Sequence, residues 1–448
     1  MATRRPNVIV FFTDQQRWDS TGVHGNPLDL TPNFDRMARR GTHCHNAFTC
    51  QPVCGPARAC LQTGLYATAT TCFRNGIALP PNLRTLAHDF GDAGYQTAYI
   101  GKWHLASQNA VPVEEQGGYD YWLGANVLEF CSQEYHTVMY DKQGNEVLLP
   151  GYRVDAQTDA CIRYIHDHKD APFFLFTSYL EPHFQNHVDD FPPPDGTREK
   201  YEGRWIPSDL AALGGTAHAH VGGYWGMCKR LDEALGRLLD ALKSLGILDN
   251  TIVCFTSDHG CHFKTRNGEY KRSCHESSIR IPTAFQGPGF DAGGQLQELV
   301  SLVDVPPTLL DACGIAVPGH MQGRSIVPLT RGERDGWPEE AFVQISEAQV
   351  GRCIRTHRWK YSVSAPDGKG GSDPASDHYV EEFLYDLQYD PHELDNRIGL
   401  ESHQAVAEHL RQRLIQRMVE AGEEAPTIEP APSRRGGQKR VSADEVRM

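Results

Sequence analysis

The sequence contains no hydrophobic run that approaches the ~18 consecutive apolar residues of a membrane-spanning helix. It also lacks the pattern of a secretory leader at its start. The apolar stretch Val8 to Phe12 is too short, and no small-residue cleavage site follows it. We therefore expect a cytoplasmic protein that does not contact a membrane.

The sequence contains fewer basic than acidic residues. The 448 residues include 43 Lys and Arg against 57 Asp and Glu, which gives a formal net charge of -14. Such a chain repels polyanions, and this argues against nucleic acid or an anionic membrane as a partner. An anionic substrate would need a local pocket of basic side chains, because the field of the whole protein opposes its approach.

Paired Cys-x-x-Cys spacings are also missing among the thirteen cysteines. A zinc cluster of Cys44, Cys50, Cys54 and Cys60 is disfavoured, because their spacings fit no such pattern. In a reducing compartment most of the cysteines should be free thiols that serve as small buried apolar residues. Cys54 is the exception, because of the residues that follow it.

Short apolar, β-rich runs alternate with helical patterns along most of the chain. Four of them end in polar residues: Asn7 to Phe12, Gln96 to Ile100, Phe173 to Tyr179 and Thr251 to Thr256. Near-continuous apolar strands are typical of a mostly parallel sheet covered by helices on both faces. Helices are predicted at Asn33 to Arg40 and at about Tyr224 to Leu245. The pattern predicts an α/β fold that binds its ligand beyond the carboxyl ends of the strands.

The pattern changes near residue 346. We assign residues 1–345 to a large α/β domain and residues 346–424 to a smaller C-terminal α+β subdomain. In the subdomain, short strands are predicted within Arg352 to Ser362 and at Glu382 to Leu387, followed by a helix at about His403 to Glu420. Residues 425–448 are rich in Pro, Gly and charge, which predicts a flexible tail.

The pentapeptide Cys54-Gly55-Pro56-Ala57-Arg58 carries the sharpest chemical signal. Its proline favours the first turn of a helix, and this places Cys54 where the helix dipole favours an anion. Arg58, one turn further on, can hold an anionic group at the same place. The residues alone leave two interpretations, a reactive thiol beside an anion site or a buried structural cysteine.

This Cys-x-Pro-x-Arg motif resembles the signature of the type I, formylglycine-dependent sulfatases of the alkaline phosphatase superfamily. The resemblance continues in order from Pro6-Asn7 to the segment LYDLQYDPHEL. It implies an alkaline-phosphatase-like catalytic domain. It also implies that a formylglycine-generating enzyme oxidises Cys54 to formylglycine. Ala57 departs from the Ser or Thr that most members have at that position.

Two predicted strand ends carry candidate metal ligands, Asp14-Gln15 and Asp258-His259. Carboxylate and amide oxygens suit Ca²⁺, Mg²⁺ or Mn²⁺, although each pair alone is also typical of a turn. The resemblance implies that both pairs, together with the formylglycine from Cys54, bind one divalent metal ion. Ca²⁺ is favoured, and Mg²⁺ is an alternative. Mn²⁺ is a rival because His259 offers nitrogen where many sulfatases have oxygen.

The resemblance also assigns roles to four basic residues. Lys102 and His104 lie in a Gly-Lys-Trp-His segment that matches the family. Lys102 would bind the substrate and support the nucleophile, and His104 would act on the formylglycine hydroxyl. His183 would protonate the leaving group. Lys271 would be the second lysine that binds the sulfate group.

Together these groups predict hydrolysis of a sulfate monoester, with a small anionic substrate such as a sulfated sugar. A dication, two lysines and Arg58 would hold the sulfate oxygens, and a hydroxyl of the hydrated formylglycine would attack. One alternative is phosphonate monoester or phosphodiester hydrolysis, which Gln15 and His259 suggest. Another is a non-catalytic protein that binds sulfated glycans with Cys54 unmodified. The sequence leaves open whether the chain forms a homo-oligomer.

Overall fold

The computed structural model describes residues 5–436, 441 and 445. In this part of the chain a large mixed sheet contains ten strands: β1 (Asn7–Thr13), β2 (Thr42–Phe48), β3 (Gln96–Lys102), β4 (Tyr121–Ala125), β5 (Thr137–Asp141), β6 (Glu146–Leu149), β7 (Phe173–Ser178), β8 (Thr251–Ser257), β9 (Ala284–Gln286) and β10 (Gly294–Ser301). Their order in space is β10-β2-β9-β8-β1-β7-β3-β4-β5-β6. The central strands β8, β1, β7, β3 and β4 are parallel to one another.

Helices cover both faces of this sheet, as the sequence predicted. The helices are α1 (Pro32–Arg40), α2 (Cys54–Thr63), α3 (Ala67–Thr70), α4 (Leu86–Asp92), α5 (Leu128–Cys131), α6 (Arg153–His168), α7 (Arg198–Tyr201), α8 (Ser208–Ala212), α9 (Ala217–Ser244), α10 (Glu276–Ile279), α11 (Val305–Ala312), α12 (Val327–Thr330) and α13 (Gln404–Glu420).

Alternation along β1 explains the two layers. Val8, Val10 and Phe12 point into the core shared with α2, α4 and α11. Ile9 and Phe11 point into the opposite core, shared with α1, α6 and α9. Because successive side chains of a strand face opposite sides, a wholly apolar strand requires cover on both faces. The predicted α/β class is therefore confirmed.

Helix α9 starts earlier than its leucine stripe predicted. The expected start was about Tyr224, whereas the helix begins at Ala217. Its first two turns bury Val221, Tyr224 and Trp225 in a separate aromatic cluster. The residues just ahead of Tyr224 are two adjacent glycines, Gly222 and Gly223, which disfavour a helix, and the leucine stripe alone therefore could not locate the first turns.

Asp232 of α9 joins that helix to the start of α1. Its carboxylate accepts hydrogen bonds from the backbone N–H of Phe34 at 2.8 Å and of Asn33 at 3.1 Å. These are N–H groups of the first helical turn, which have no partner within their own helix. Burial raises the pKa of Asp232 to about 6, although these hydrogen bonds act to lower it.

The raised pKa of Asp232 gives a signed prediction. A carboxyl whose pKa is higher in the folded state contributes stability that is complete below its unfolded pKa and lost as pH rises through the folded value. The free energy of unfolding of wild type, measured relative to Asp232→Asn, should therefore fall by about 2–3 kcal/mol between pH 4 and pH 7. Urea denaturation of both proteins at several pH values measures this difference, and a constant difference would contradict it.

A second, five-stranded sheet forms the C-terminal part. Its strands are β11 (Glu340–Ile345), β12 (Gly351–Thr356), β13 (Trp359–Ser364), β14 (His378–Asp386) and β15 (Thr427–Glu429), in that spatial order. Neighbours are antiparallel except for β14 and β15. Helix α13 packs on this sheet close to the predicted position. The sheet takes its first strand, β11, from residues ahead of the expected boundary at 346.

The predicted tail from residue 425 begins with structure. Strand β15 pairs with β14, and Ile428 is buried in the core. A single buried isoleucine is too short a pattern to predict a strand. Residues 437–440, 442–444 and 446–448 of the predicted tail lie outside the described residues. Across the described ranges, no helix combines the length and apolar character needed to cross a membrane.

Candidate active site

The carboxyl ends of the central strands bring the candidate residues together. The register of β1 and β8 pairs Thr13 with Ser257, and the next residues, Asp14 and Asp258, therefore lie side by side. On the other side of β1, strand β7 ends at Ser178 opposite the end of β3. Parallel strands place their carboxyl ends at one edge of the sheet, and this edge is where α/β folds bind ligands.

Cys54 is the first residue of α2. Its side chain is buried, and the backbone N–H of Gly55 is capped by the side-chain oxygen of Asn75 at 2.9 Å. A Cβ at Gly55 would come within 3.0 Å of that oxygen and 3.3 Å of the His104 carbonyl. Glycine therefore lets the helix start close to the strand end that carries His104.

Positive and polar groups surround the Cys54 thiol. Its Sγ lies 2.9 Å from Lys271 Nζ, 3.2 Å from His259 Nε2 and 3.5 Å from Asp14 Oδ1. Burial alone would raise the pKa of this thiol, but Lys271, Lys102 and His259 lower it well below its ordinary value. Position 54 is thus built to hold an anion.

Asp14, Arg58 and Lys102 form a buried ion cluster behind Cys54. Asp14 Oδ2 accepts hydrogen bonds from Arg58 Nη2 and from Lys102 Nζ, both at 2.8 Å. Arg58 also donates to Ser178 Oγ at 2.6 Å and to the Lys102 carbonyl at 2.9 Å. Burial would raise the pKa of Asp14, but the opposing pull of Lys102 and Arg58 keeps it below the usual range. Asp14 is therefore a carboxylate at neutral pH.

Asp258 and His259 complete a group that fits a metal ion. Ligand atoms of Asp14, Cys54, Asp258 and His259 all lie within 4.8 Å of one another, and all four residues are buried. Asp258 Oδ2 has no hydrogen-bond partner, and burial together with Asp14 raises the pKa of Asp258 to about 7. Two buried carboxylates this close, one with an unsatisfied oxygen, are the arrangement that a bound dication stabilises.

The tautomer of His259 suits the same ion. Its Nδ1 lies 2.9 Å from the Gly260 carbonyl, which can only accept a hydrogen bond, and Nδ1 therefore carries the proton. Nε2 then presents a lone pair towards Cys54 and the two carboxylates. This is the usual way in which a second hydrogen bond orients a metal-binding histidine.

The amide oxygen of Gln15 faces Lys271, beside Cys54. Its Nε2 contacts the Cys261 sulfur at 3.4 Å, and its Oε1 lies 3.3 Å from Lys271 Nζ. Gln15 and His104 both have positive φ angles, of 68° and 59°. Such a conformation costs a non-glycine residue about 1–3 kcal/mol and is retained where the surrounding structure fixes it.

His183 and Lys271 form a pair above Cys54. Lys271 Nζ lies 2.9 Å from His183 Nε2, and His183 Nδ1 contacts the Phe184 carbonyl at 2.5 Å. The carbonyl fixes the proton on Nδ1, and Nε2 therefore accepts from the ammonium group. Burial and then Lys271 lower the pKa of His183. His104 also faces the thiol, and its Nδ1 is buried without a hydrogen-bond partner.

The structure thus brings all ten predicted residues into one connected cluster: Asp14, Gln15, Cys54, Arg58, Lys102, His104, His183, Asp258, His259 and Lys271. Cys44, Cys50 and Cys60 are free thiols outside this cluster.

Glu129 was not predicted. It lies on α5, is 7% exposed, and its Oε1 accepts a hydrogen bond from Lys102 Nζ at 2.8 Å. Burial would raise the pKa of Glu129, but Lys102 and His104 lower it to about 2. Lys102 therefore lies between two carboxylates, which fix the position of its ammonium group.

The C-terminal sheet supports the loop that carries Lys271. His262 Nε2 lies 2.9 Å from the Lys271 carbonyl, and His275 Nε2 lies 3.2 Å from the Tyr385 hydroxyl on β14. Glu276, at the start of α10, pairs with Lys360 of β13 at 2.9 Å. The smaller sheet thereby holds one wall of the site in place.

Comparisons with known proteins agree with this geometry. The family model described as Sulfatase matches residues 6–315, and a model described as N-sulphoglucosamine sulphohydrolase, C-terminal, matches residues 268–420. An ulvan-active sulfatase of Formosa agariphila is 29% identical over 445 residues, which cover 94% of this chain and 82% of that protein. An N-acetylglucosamine-6-O-sulfatase of Bacteroides thetaiotaomicron is 26% identical over 485 residues, which cover 89% of this chain and 83% of that protein.

A solved structure of a protein in complex with its substrate, D-glucosamine-2-N,6-O-disulfate, has the same fold. It superposes with a TM-score of 0.78 and 25% sequence identity, over 94% of this chain and 98% of that chain. Since the sulfatase model spans every strand end that reaches Cys54, the chain belongs to the sulfatase family of the alkaline phosphatase superfamily and is a sulfuric ester hydrolase.

Proposed function

We propose that this sulfatase hydrolyses the sulfate ester of a sugar, using formylglycine at position 54 beside one divalent metal ion. The observation that carries the proposal is the convergence of Lys102, Lys271 and Arg58 on the buried position 54 of an otherwise acidic protein. A sulfate monoester is an anion whose oxygens need that charge while the S–O bond breaks.

Four residues of the cluster, with Gln15, are the proposed ligands of the metal ion: Asp14, Asp258, His259 and the oxygen that replaces Cys54 Sγ. The ion would supply charge that stabilises the sulfate oxygens and favours ionisation of the nucleophilic hydroxyl. Ca²⁺ is our preferred ion, because four of the five proposed ligands offer oxygen, and Mn²⁺ or Mg²⁺ are the alternatives.

Formylglycine would supply a hydroxyl of its hydrated aldehyde as the nucleophile. A formylglycine-generating enzyme is therefore a required partner during maturation. His104 faces position 54 and is the proposed base that takes the proton of the second hydroxyl, so that sulfate is released. A serine could accept the sulfuryl group but would have no second hydroxyl for this step.

The leaving oxygen would take its proton from the pair of Lys271 and His183. The Lys271 ammonium already donates towards His183 Nε2, and one proton is therefore held between the two groups at 2.9 Å. Both side chains are nearly fully buried, so water does not compete for that proton. The proposed general acid is accordingly His183, protonated through Lys271.

The names of similar proteins support a sugar as the alcohol part of the substrate. One is an N-acetylglucosamine-6-O-sulfatase, and a solved structure holds a disulfated glucosamine. In this chain one aromatic side chain lies beside the proposed acid, and a second is exposed next in sequence to Glu129. The Phe184 ring stacks on His183 at 4.5 Å, and Phe130, next to Glu129, is 69% exposed. An apolar wall with a few polar groups is typical of a small-molecule site.

Selectivity between sulfate and phosphate esters tests the proposed reaction. For substrates with the same leaving group, kcat/KM for the sulfate monoester should exceed that for the phosphodiester by at least about tenfold, a difference of 1.4 kcal/mol. Kinetics on sulfated glucosamine and on aryl esters would measure this. A preference for the phosphodiester or phosphonate monoester would favour the alternative reaction that Gln15 and His259 suggest.

Removal of the divalent ion provides a second test. Chelation should lower kcat by at least about tenfold, because the carboxylates of Asp14 and Asp258 would then repel the sulfate group. Adding Ca²⁺ back should restore the rate. Full activity after chelation, with residual metal measured by elemental analysis, would contradict the proposed role of the ion.

A further inference from the structure

Three histidines form a separate cluster on another part of the large sheet. His43 and His45 are two residues apart on β2 and therefore face the same side of the strand. His24 comes from the short helical turn Gly22–His24. Ring centroids are 4.8 Å apart for His24 and His43, and 5.0 Å for His24 and His45. Ligand nitrogens of the three rings all lie within 4.8 Å of one another.

Two of these rings carry buried nitrogens without hydrogen-bond partners. They are Nε2 of His43, whose residue is only 4% exposed, and Nδ1 of His45. In the third ring, His24 Nδ1 lies 2.7 Å from Thr21 Oγ1 and Nε2 lies 3.2 Å from the His45 carbonyl, so a bound ligand would replace one of these two contacts. Buried polar atoms in proteins are nearly always satisfied, and a pair of orphaned nitrogens in one cluster therefore requires an explanation. A ligand that accepts electron pairs from both would supply it.

The electrostatic surroundings keep these imidazoles neutral. Burial lowers the pKa of His43 and of His45 to about 4 and that of His24 well below its ordinary value, with further lowering by Arg280. Neutral imidazole is the form that binds metal ions. Arg280 and, for His45, Arg355 are the positive charges that act on these rings. The Arg280 guanidinium donates to the His45 carbonyl at 2.8 Å and lies 3.8 Å from the Glu276 carboxylate, which also pairs with Lys360 and Arg355.

We propose that His24, His43 and His45 bind a second metal ion, of the transition-metal class that prefers nitrogen ligands, with Zn²⁺ as the best fit. Zn²⁺ takes three imidazoles in tetrahedral geometry and leaves a fourth position for water, whereas Ca²⁺ requires oxygen. A surface cavity of about 460 Å³ is lined by His43, Gly22 and Arg39 and so reaches one of the three proposed ligands.

The second ion would join the loop after the active-site strand to β2. The Trp18 ring stacks on His24 with centroids 6.2 Å apart, and Trp18 follows the Asp14-Gln15 pair by only a few residues. Zinc bound by His24 would therefore anchor this segment to His43 and His45. Because an ion that binds only the folded state stabilises it by mass action, zinc should raise the Tm.

Cobalt titration tests the site directly. The full-length enzyme, saturated with Ca²⁺, is titrated with Co²⁺ as a spectroscopic substitute for Zn²⁺. We expect one equivalent with the visible d–d bands of a tetrahedral site and no thiolate charge-transfer band, because no cysteine belongs to the cluster. Octahedral spectra alone, without the tetrahedral bands, would overturn the proposal.

Variants separate this site from the active site. Both His43→Gln and the milder His45→Gln should lose the tetrahedral cobalt spectrum and the zinc-dependent rise in Tm, while folding normally in chelator. Asp258→Asn should keep both signals, because it removes only a proposed ligand of the active-site ion. His166→Gln, at a residue with a 63% exposed side chain, is the matched histidine control. Retention of the spectrum in both cluster variants would contradict the assignment.

Discussion

Replacing Cys54 by serine should lower kcat/KM for a sulfate ester by at least about a thousandfold, because the nucleophile and its release step are both lost. Serine fits the space at the start of α2 and keeps a hydroxyl near Lys271, His259 and Asp14. It cannot be oxidised to formylglycine by the same route, and it has no second hydroxyl to expel sulfate. A single turnover followed by arrest is therefore the expected behaviour.

The matched control for this substitution is Cys60→Ala. Cys60 lies on the same helix and is fully buried, but it belongs to the apolar core and not to the metal-binding group. Burial raises the pKa of its thiol well above the ordinary value, as expected of an inert cysteine. Its loss should leave kcat unchanged. Sustained turnover by Cys54→Ser at more than about a tenth of the wild-type rate would refute the nucleophile assignment.

Replacing Lys102 by methionine should reduce both activity and stability. The ammonium group is fully buried between Asp14 and Glu129 at 2.8 Å from each. The methionine side chain is of similar length but apolar, and it would leave those two carboxylates without their positively charged partner. Removing one partner of a buried ion pair costs about 3–5 kcal/mol of unfolding free energy. Loss of one group that stabilises the reacting anion should lower kcat by about a hundredfold to a thousandfold.

Glu129→Gln is the control that keeps the lysine. Its amide oxygen can still accept the hydrogen bond from Lys102, and Asp14 still pairs with that ammonium group. The free energy of unfolding should therefore fall by only about 1–2 kcal/mol. The pKa of Glu129 is lowered to about 2, so its stabilising contribution is present above about pH 4.5 and is lost as pH falls towards 2. Urea denaturation at several pH values should show this loss absent in Glu129→Gln and weakened in Lys102→Met. Equal stability of Lys102→Met and wild type would contradict the buried-ion account.

Much of the site could be predicted from sequence because two simple rules locate it. Apolar strands that end in polar residues identified Asp14, Asp258 and His183, and the sheet register then placed them together. The Cys-x-Pro-x-Arg motif identified the start of α2 and the orientation of Arg58. Both rules use local patterns whose spatial consequence follows from one strand or one helix.

Glu129 and the histidine cluster could not be found in that way. Glu129 lies on the short helix α5, between β4 and β5. Its contact with Lys102 depends on how β4 and α5 pack beside β3. The His43-x-His45 spacing was a visible signal for a metal, but the third histidine comes from a turn 19 residues before His43. Such long-range contacts are set by tertiary packing and not by local pattern.

The mass of the peptide that contains Cys54 tests the central claim most directly. The protein is produced together with a formylglycine-generating enzyme, digested with trypsin and measured beside a control substrate of that enzyme. Conversion of the thiol to an aldehyde should lower the peptide mass by about 18 Da, since one sulfur and two hydrogens are exchanged for one oxygen. An unmodified thiol in protein that sustains sulfate ester hydrolysis, with the control fully converted, would contradict the account.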